Sequence, residues 1–343
     1  FSTRSKRTRN IVSLIHDWSM MRIGQNPAKY VKEVAKPARI TVAVLNYIPF
    51  LSGFYADALG VLKVCLNSIR ESADLPFDLL VFDNGSCEEV RQYLLDEHQA
   101  GRIQFLFLSE KNLGKGGAWN IILAGAPGEI IAYTDSDAYF YKGWLSRSLE
   151  ILETFPNVGM VTARPFRTKE EYYSRTVAWG QATPGVEVEH GQLISYEIFR
   201  EFDLSLGQSE EEIQQHYQTS EDFSLTYQGV RAMAGASHWQ FMAYKSTLLP
   251  FLPFNMDRPM GQVKQLDQRM NEAGLLRLMV TDPLAMNMSN TLRNAPGQAA
   301  SPSQSPARRV PSTALLDLPP VRRALLGLYD AIFRWYYDRQ AEK

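Results

Sequence analysis

Ile130-Ile131-Ala132-Tyr133-Thr134-Asp135-Ser136-Asp137 is the stretch on which the reading of this chain turns. Its first four residues form a short apolar run, which reads as a buried strand. The run then ends in two acids. A carboxylate at the end of a buried strand costs free energy unless it binds something. Hard divalent cations take oxygen ligands and sit between carboxylates and substrate phosphates. Asp135 and Asp137 are therefore candidate metal ligands. Asp is also favoured in turns for hydrogen bonds to its own backbone, so Asp-x-Asp gains its meaning from its surroundings.

Those surroundings repeat one pattern. Ile40–Leu45, Leu79–Phe82, Ile103–Phe107 and Val158–Val161 are further apolar runs of strand length. Between them lie helical segments: Leu59, Leu62, Leu66 and Ile69 on one face, then residues 88–97, 116–123 and 144–155. Strands alternating with helices predict an α/β fold with a mostly parallel sheet and right-handed crossovers. In such sheets ligands bind beyond the carboxyl ends of the strands. Three loops fall there: Asp83-Asn84-Gly85-Ser86, then Asn112 to Asn120 with Gly114, Lys115, Gly116 and Gly117, and the acidic turn. The second loop lacks the third glycine of a dinucleotide fingerprint and the Gly-Lys-Ser/Thr of a P-loop. It places backbone amides and Lys115 at a helix start, where phosphate binds. Gly116-Gly117 also reads as a pair that permits close packing.

In this order and spacing the three loops resemble the family 2 glycosyltransferases of GT-A fold, over residues 38–163. Ser237–Leu249 and Gln265–Leu278 resemble that family's acceptor half more loosely. The resemblance implies a Rossmann-like central sheet with helices on both faces. It implies a donor half (38–163) and an acceptor half (164–294), flanked by N- and C-terminal helical extensions. It also implies transfer of a sugar from a nucleotide-diphospho-sugar, UDP-sugars being the commonest, to a glycan, a lipid-linked glycan or another hydroxyl, with Mn²⁺ or Mg²⁺ as cofactor. By similarity Asp83 bonds the nucleotide base, and Asn46 and Tyr47 line its pocket. Asn112, Gly114 and Lys115 flank ribose and diphosphate. Asp135 contacts ribose or metal, Asp137 ligates the metal, and His238 and Trp239 meet the acceptor.

The acceptor half departs from the family pattern. Gln262-Val263 stands where a Glu-Asp pair carrying the catalytic base is usual. The nearest acid on that helix is Asp267. It is read either as the base or as the partner of an Arg or Lys on an exposed helix face. Glu221-Asp222 is a literal Glu-Asp pair but precedes the Gly235–Trp239 segment, in the wrong order. Met286-Asn287-Met288 replaces a late metal-binding His. Trp239 reads as a sugar-stacking ring or a core residue. Two rivals follow: a retaining transferase, which needs no such base, and a member that binds nucleotide or glycan without turnover. A nucleotidyltransferase would want a Gly/Arg-rich loop after the first strand, and residues 46–54 hold one Gly and no Arg.

Bulk properties agree with an α/β enzyme and exclude some classes. The 343 residues carry a formal net charge of -1, which gives no global attraction for nucleic acid. Two cysteines, Cys65 and Cys87, form no disulfide framework and fit a reducing, cytoplasmic setting. No apolar run is long enough to cross a bilayer. The sequons at Asn84 and Asn287 read as chance matches. Residues 1–37 are basic, with Ile11, Val12, Leu14, Ile15, Trp18 and Met21 at near-helical spacing. Residues 295–313 are Pro/Ser/Ala/Gln-rich and read as a linker. Residues 314–343 read as an amphipathic helix. The terminal helices are expected to dock on the body, on another subunit, or on the inner face of a membrane.

Overall fold

The computed structural model describes residues 24–256 and 263–292. The expected helices around residues 11–21 and 314–343, and the 295–313 linker, lie outside the described residues. Residues 24–37 are exposed and include a single 3₁₀ turn, Pro27–Tyr30.

The first half follows the expected alternation. It runs β1 (Ile40–Asn46), α1 (Ala58–Ser72), β2 (Phe77–Asp83), α2 (Glu88–Gln99), β3 (Phe105–Leu108), α3 (Gly114–Gly125), β4 (Ile130–Asp135), a short β5 (Ala138–Phe140), α4 (Trp144–Thr154) and β6 (Val158–Thr162). Every residue of β1 is buried, because a central parallel strand is covered on both faces. That is why its sequence is a continuous apolar run rather than an alternation. On α1, Val61, Leu62, Cys65, Leu66 and Ile69 recur at helical spacing and all face the core.

The second half is more ordered than its sequence suggests. Residues 165–230 are rich in polar residues, yet they hold α5 (Ser174–Ala182), β7 (Glu187–Gly191), α6 (Tyr196–Ser205), α7 (Glu210–Thr219) and β8 (Asp222–Tyr227). Gly180 to Ala182 end α5. The Cβ of any larger residue at 180 would press into Leu225 at 2.5 Å, so this glycine is there for packing. α7 starts at a Ser209–Glu212 capping box. The chain then continues through β9 (Val230–Ala234), β10 (Gln240–Tyr244), α8 (Lys245–Leu248), α9 (Val263–Glu272), β11 (Leu276–Met279) and β12 (Ala285–Asn287).

Ten strands form one sheet in the order β3-β2-β1-β4-β10-β6-β11-β9-β8-β7. β1, β2, β3 and β4 are parallel, and β10 enters antiparallel between β4 and β6. β6 and β11 resume the first direction, and β9, β8 and β7 complete an antiparallel meander. This is the GT-A arrangement. Two apolar layers cover the sheet. One holds Leu62, Leu66, Leu94, Trp144 and Ile151 from α1, α2 and α4. The other holds Trp119, Ile122, Leu266 and Met270 from α3 and α9, packed on Tyr133 and Phe241. No described helix is long and apolar enough to cross a membrane.

Candidate functional site

A cavity of about 410 Å³ opens at the carboxyl ends of β1, β2 and β4. That is within the range of small-molecule sites. Its polar wall is Asn84, Asn112, Gly114, Lys115, Asp135, Ser136 and Asp137, so all three sequence loops converge on it. Its apolar wall includes Leu45, Tyr47, Ile48, Phe54, Tyr55, Ala58 and Val61, and Ser289 and Asn290 close one side.

The loops are joined by reciprocal amide bonds. Asn84 Nδ2 donates to Asn112 Oδ1 (3.0 Å), and Asn84 Oδ1 accepts from the Leu113 amide (2.9 Å). Asn112 Oδ1 also accepts from the Gly114 amide (2.8 Å), which sets the start of α3. Gly85 makes this junction feasible. Its φ is +88°, and a Cβ there would lie 3.1 Å from the Asn112 nitrogen. The 3%-exposed, fully engaged Asn84 cannot carry a glycan. Gly116 and Gly117 have the packing role. A Cβ on Gly117 would meet Leu113 and Met256 at 2.8 Å, so these glycines admit the segment 254–256 rather than a phosphate.

Asp83 and Asn46 lie beneath the cavity and are not part of its lining. Both are fully buried. Asp83 accepts from Asn46 Nδ2 (2.9 Å) and from the Ser86 amide (3.0 Å), while Ser86 Oγ accepts from the Ile48 amide (2.9 Å). Here they clasp the ends of β1 and β2. Tyr47, by contrast, is 36% exposed and lines the cavity.

The acidic turn is asymmetric. Asp135 is satisfied on both oxygens: Lys115 Nζ lies 2.7 Å from Oδ2, and Tyr133 Oη donates to Oδ1 (2.6 Å). Lys115 is itself buried, with its ammonium 5.6 Å from the ring centres of Trp119 and Tyr133. Burial pushes the Tyr133 hydroxyl well above its ordinary value, helped by Asp135. Asp137 has no side-chain donor among the described residues. Burial, then the charge of Asp135, pushes its carboxyl from an ordinary 3.8 up to about 7, against an opposing pull from Lys115. Two acids thus share one ammonium at the cavity wall. β12 pairs with β5, and the Met288 amide donates to the Asp137 carbonyl (2.8 Å), so Met286-Asn287-Met288 does run beside the acidic turn. Among the described residues no three His, Cys, Asp or Glu side chains gather into a metal cluster.

The residues expected to meet the acceptor or supply the base are gathered next to this turn. Asp267, on α9, is only 4% exposed, not on an exposed helix face. Its Oδ1 pairs with Arg277 of β11, and its Oδ2 lies 2.7 Å from His238 Nδ1. Both oxygens are engaged, and Asp267 does not line the cavity. Arg277 is fully buried, and desolvation pulls its guanidinium below its ordinary value although Asp267 opposes this. Trp239 packs with Phe202, ring centres 5.8 Å apart, at 9% exposure; it is a core ring rather than a stacking platform. Glu221 and Asp222 also have structural partners. Asp222 forms a buried bidentate pair with Arg167 (2.8 and 3.0 Å), and Glu221 meets His190 at the surface.

Asn84, Phe54, Ser289 and Asn290 are among the lining residues that were assigned no role from sequence. Asn84 was adjacent to a residue already singled out. Ser289 and Asn290 follow the Met286–Met288 stretch and reach the cavity because Asn290 Nδ2 donates to the Phe54 carbonyl (2.7 Å) across 236 residues. No local pattern announces that contact.

A family model described as Glycosyl transferase family 2 matches residues 55–202, which span α1 to α6 and include all three loops. That match covers less than half of the chain. An uncharacterized glycosyltransferase of Nostoc sp. is 29% identical over 125 residues, covering 36% of this chain and 35% of its own length. The chain thus spans about a third of that relative. Among solved structures, the mannosyltransferase PcManGT of Pyrobaculum calidifontis, in complex with GDP-Man and Mn²⁺, is similar with TM-score 0.45 and 17% identity over 81% of this chain and 63% of that one. S. aureus TarS 1-349 with UDP-GlcNAc gives TM-score 0.41 and 15% identity over 71% and 56%.

Proposed function

We propose that this chain is an inverting glycosyltransferase that takes a sugar from a nucleotide-diphospho-sugar with the help of a divalent cation. The observation that carries the reading is the convergence of the 83–86, 112–115 and 135–137 loops on one cavity, within the span matched by the family 2 model. The apolar wall around Leu45, Tyr47 and Ile48 suits a nucleotide base, with UDP favoured on family grounds. Lys115 and the amides at the start of α3 suit phosphate. Asp83 and Asn46 hold that base pocket from below.

The residues present fit a hard cation. Asp137 offers a carboxylate with no other side-chain partner, beside a second carboxylate, and its raised proton affinity marks uncompensated negative charge. Two carboxylates with substrate phosphate are a usual ligand set for Mg²⁺ or Mn²⁺. When bound, the ion supplies positive charge against a departing diphosphate. Lys115 holds Asp135 in place and adds charge at the same wall. The acceptor, a glycan, lipid-linked glycan or other hydroxyl compound, approaches from the β10 and α9 side.

A thermal-shift panel of UDP, GDP and their sugars, with and without Mn²⁺, tests this. A donor at a hundred times its dissociation constant adds about 2.7 kcal/mol of stability. A metal-dependent shift that Asp137→Ala abolishes is the expected result. A flat panel sinks the reading. NMR of the product anomer then checks inversion.

A further inference from the structure

The acceptor half carries a built relay with one free end. Arg277 and His238 hold the two oxygens of Asp267. A carboxylate accepts, so the His238 ring donates from Nδ1, and the neutral tautomer that does so has its lone pair at Nε2. Nε2 makes no hydrogen bond among the described residues, and the side chain is 21% exposed. Arg277 already balances the charge of Asp267, so the ring need not be charged to keep its bond.

The turn that carries His238 is pinned on both sides. The Ser237 amide donates to Thr162 Oγ1 (2.9 Å), the Ala236 carbonyl accepts from Arg277, and the Asp135 amide donates to the Trp239 carbonyl (2.9 Å). The last bond sets His238 one residue from direct contact with the donor-side acidic turn. An oriented imidazole with a free nitrogen, on a turn hydrogen-bonded to the acidic one, suits a general base.

We propose that His238 is the base of the transfer reaction and that Asp267 and Arg277 are its positioning residues, an assignment that rests on the function proposed above. Nε2 takes the proton of the acceptor hydroxyl. The acceptor oxygen forms its bond to the anomeric carbon, and the bond from that carbon to the diphosphate oxygen breaks, its electron pair leaving with the nucleoside diphosphate. Asp267 faces the imidazolium so formed. It acts through His238 and does not itself meet the acceptor.

The test uses UDP-glucose, UDP-N-acetylglucosamine and GDP-mannose with Mn²⁺, read as nucleotide release and as transfer to simple glycosides. His238→Gln keeps a donor for Asp267 and removes the base. It should keep the melting temperature and the metal-dependent shift with UDP or GDP, and lose turnover by roughly 10²–10⁴-fold. Imidazole should partly restore His238→Ala. Asp267→Asn should lower turnover, and adding it to His238→Gln should lower it no further, which a merely structural role would not produce. Ring ¹⁵N shifts of the unaltered protein should show Nδ1 protonated and Nε2 bare, independently of turnover. A His238→Gln enzyme within threefold of the unaltered one, or a ring protonated at Nε2, overturns the assignment alone. Absence of any metal-dependent binding of UDP or GDP overturns the donor-site reading, and this one with it.

Discussion

The two halves of the fold, proposed to hold donor and acceptor, are built on different rules. In the donor half each polar side chain at the cavity follows its own strand, and the parallel sheet alone brings the three loops together. Their partners are neighbours in that layer: Asn84 with Asn112, Lys115 with Asp135. In the acceptor half the polar groups are buried in ion pairs between distant segments: Arg167 with Asp222 across 55 residues, His238 with Asp267 across 29. One half leaves a carboxylate, Asp137, available to a ligand; the other ties its carboxylates down. Removing the carboxylate left available at Asp137 should therefore cost function, and breaking the buried Arg167–Asp222 pair should cost stability.

The largest effect tests the donor side. Asp137→Ala is expected to lower transfer by about 4 kcal/mol, roughly a thousandfold, through loss of cation and leaving-group stabilisation. Its melting temperature should stay level or rise, because a like-charge neighbour of Asp135 is gone. A steady-state assay beside calorimetry decides; preserved metal-dependent transfer breaks the contrast. Asp222→Ala makes the opposite case. It strands Arg167 at 3% exposure and should cost about 3–5 kcal/mol in denaturant unfolding. A stable, inactive Asp222→Ala would instead mean that the literal Glu-Asp pair takes part in chemistry.

Gly85→Ala should cost about 1–3 kcal/mol, since it forces an L side chain to a φ of +88° against the Asn112 backbone. Weakened nucleotide binding should accompany the loss. A further expected effect is a pH dependence. Asp137 keeps its proton up to about 7 when folded, against an ordinary 3.8. Between those values the folded chain binds more protons than the unfolded one, so stability falls as pH rises through that window. The metal-free melting temperature should drop from pH 5 to pH 8, and the drop should shrink in Asp137→Asn. Cation binding runs the other way and should weaken below about pH 7, because ligation displaces the proton.

The relation of this sequence to its structure divides along the same line. β1, β2, β4 and the helices between them were legible because buried parallel strands and one-faced helices leave a periodic apolar signature. β5 is three residues long and β7 is largely exposed, so neither carries such a signature. The donor loops were legible because the ends of parallel strands are adjacent by construction. Sequence alone therefore determined the α/β class, the place of the cavity and the two acids on its wall. Tertiary structure decided which of those acids is already neutralised and that Asp83 and Asn46 lie beneath the cavity. It also decided that Asp267 serves His238 instead of facing solvent. The physical reason is that a buried charge takes its state from whatever partner folding brings within about 3 Å, and that partner can lie anywhere in the chain.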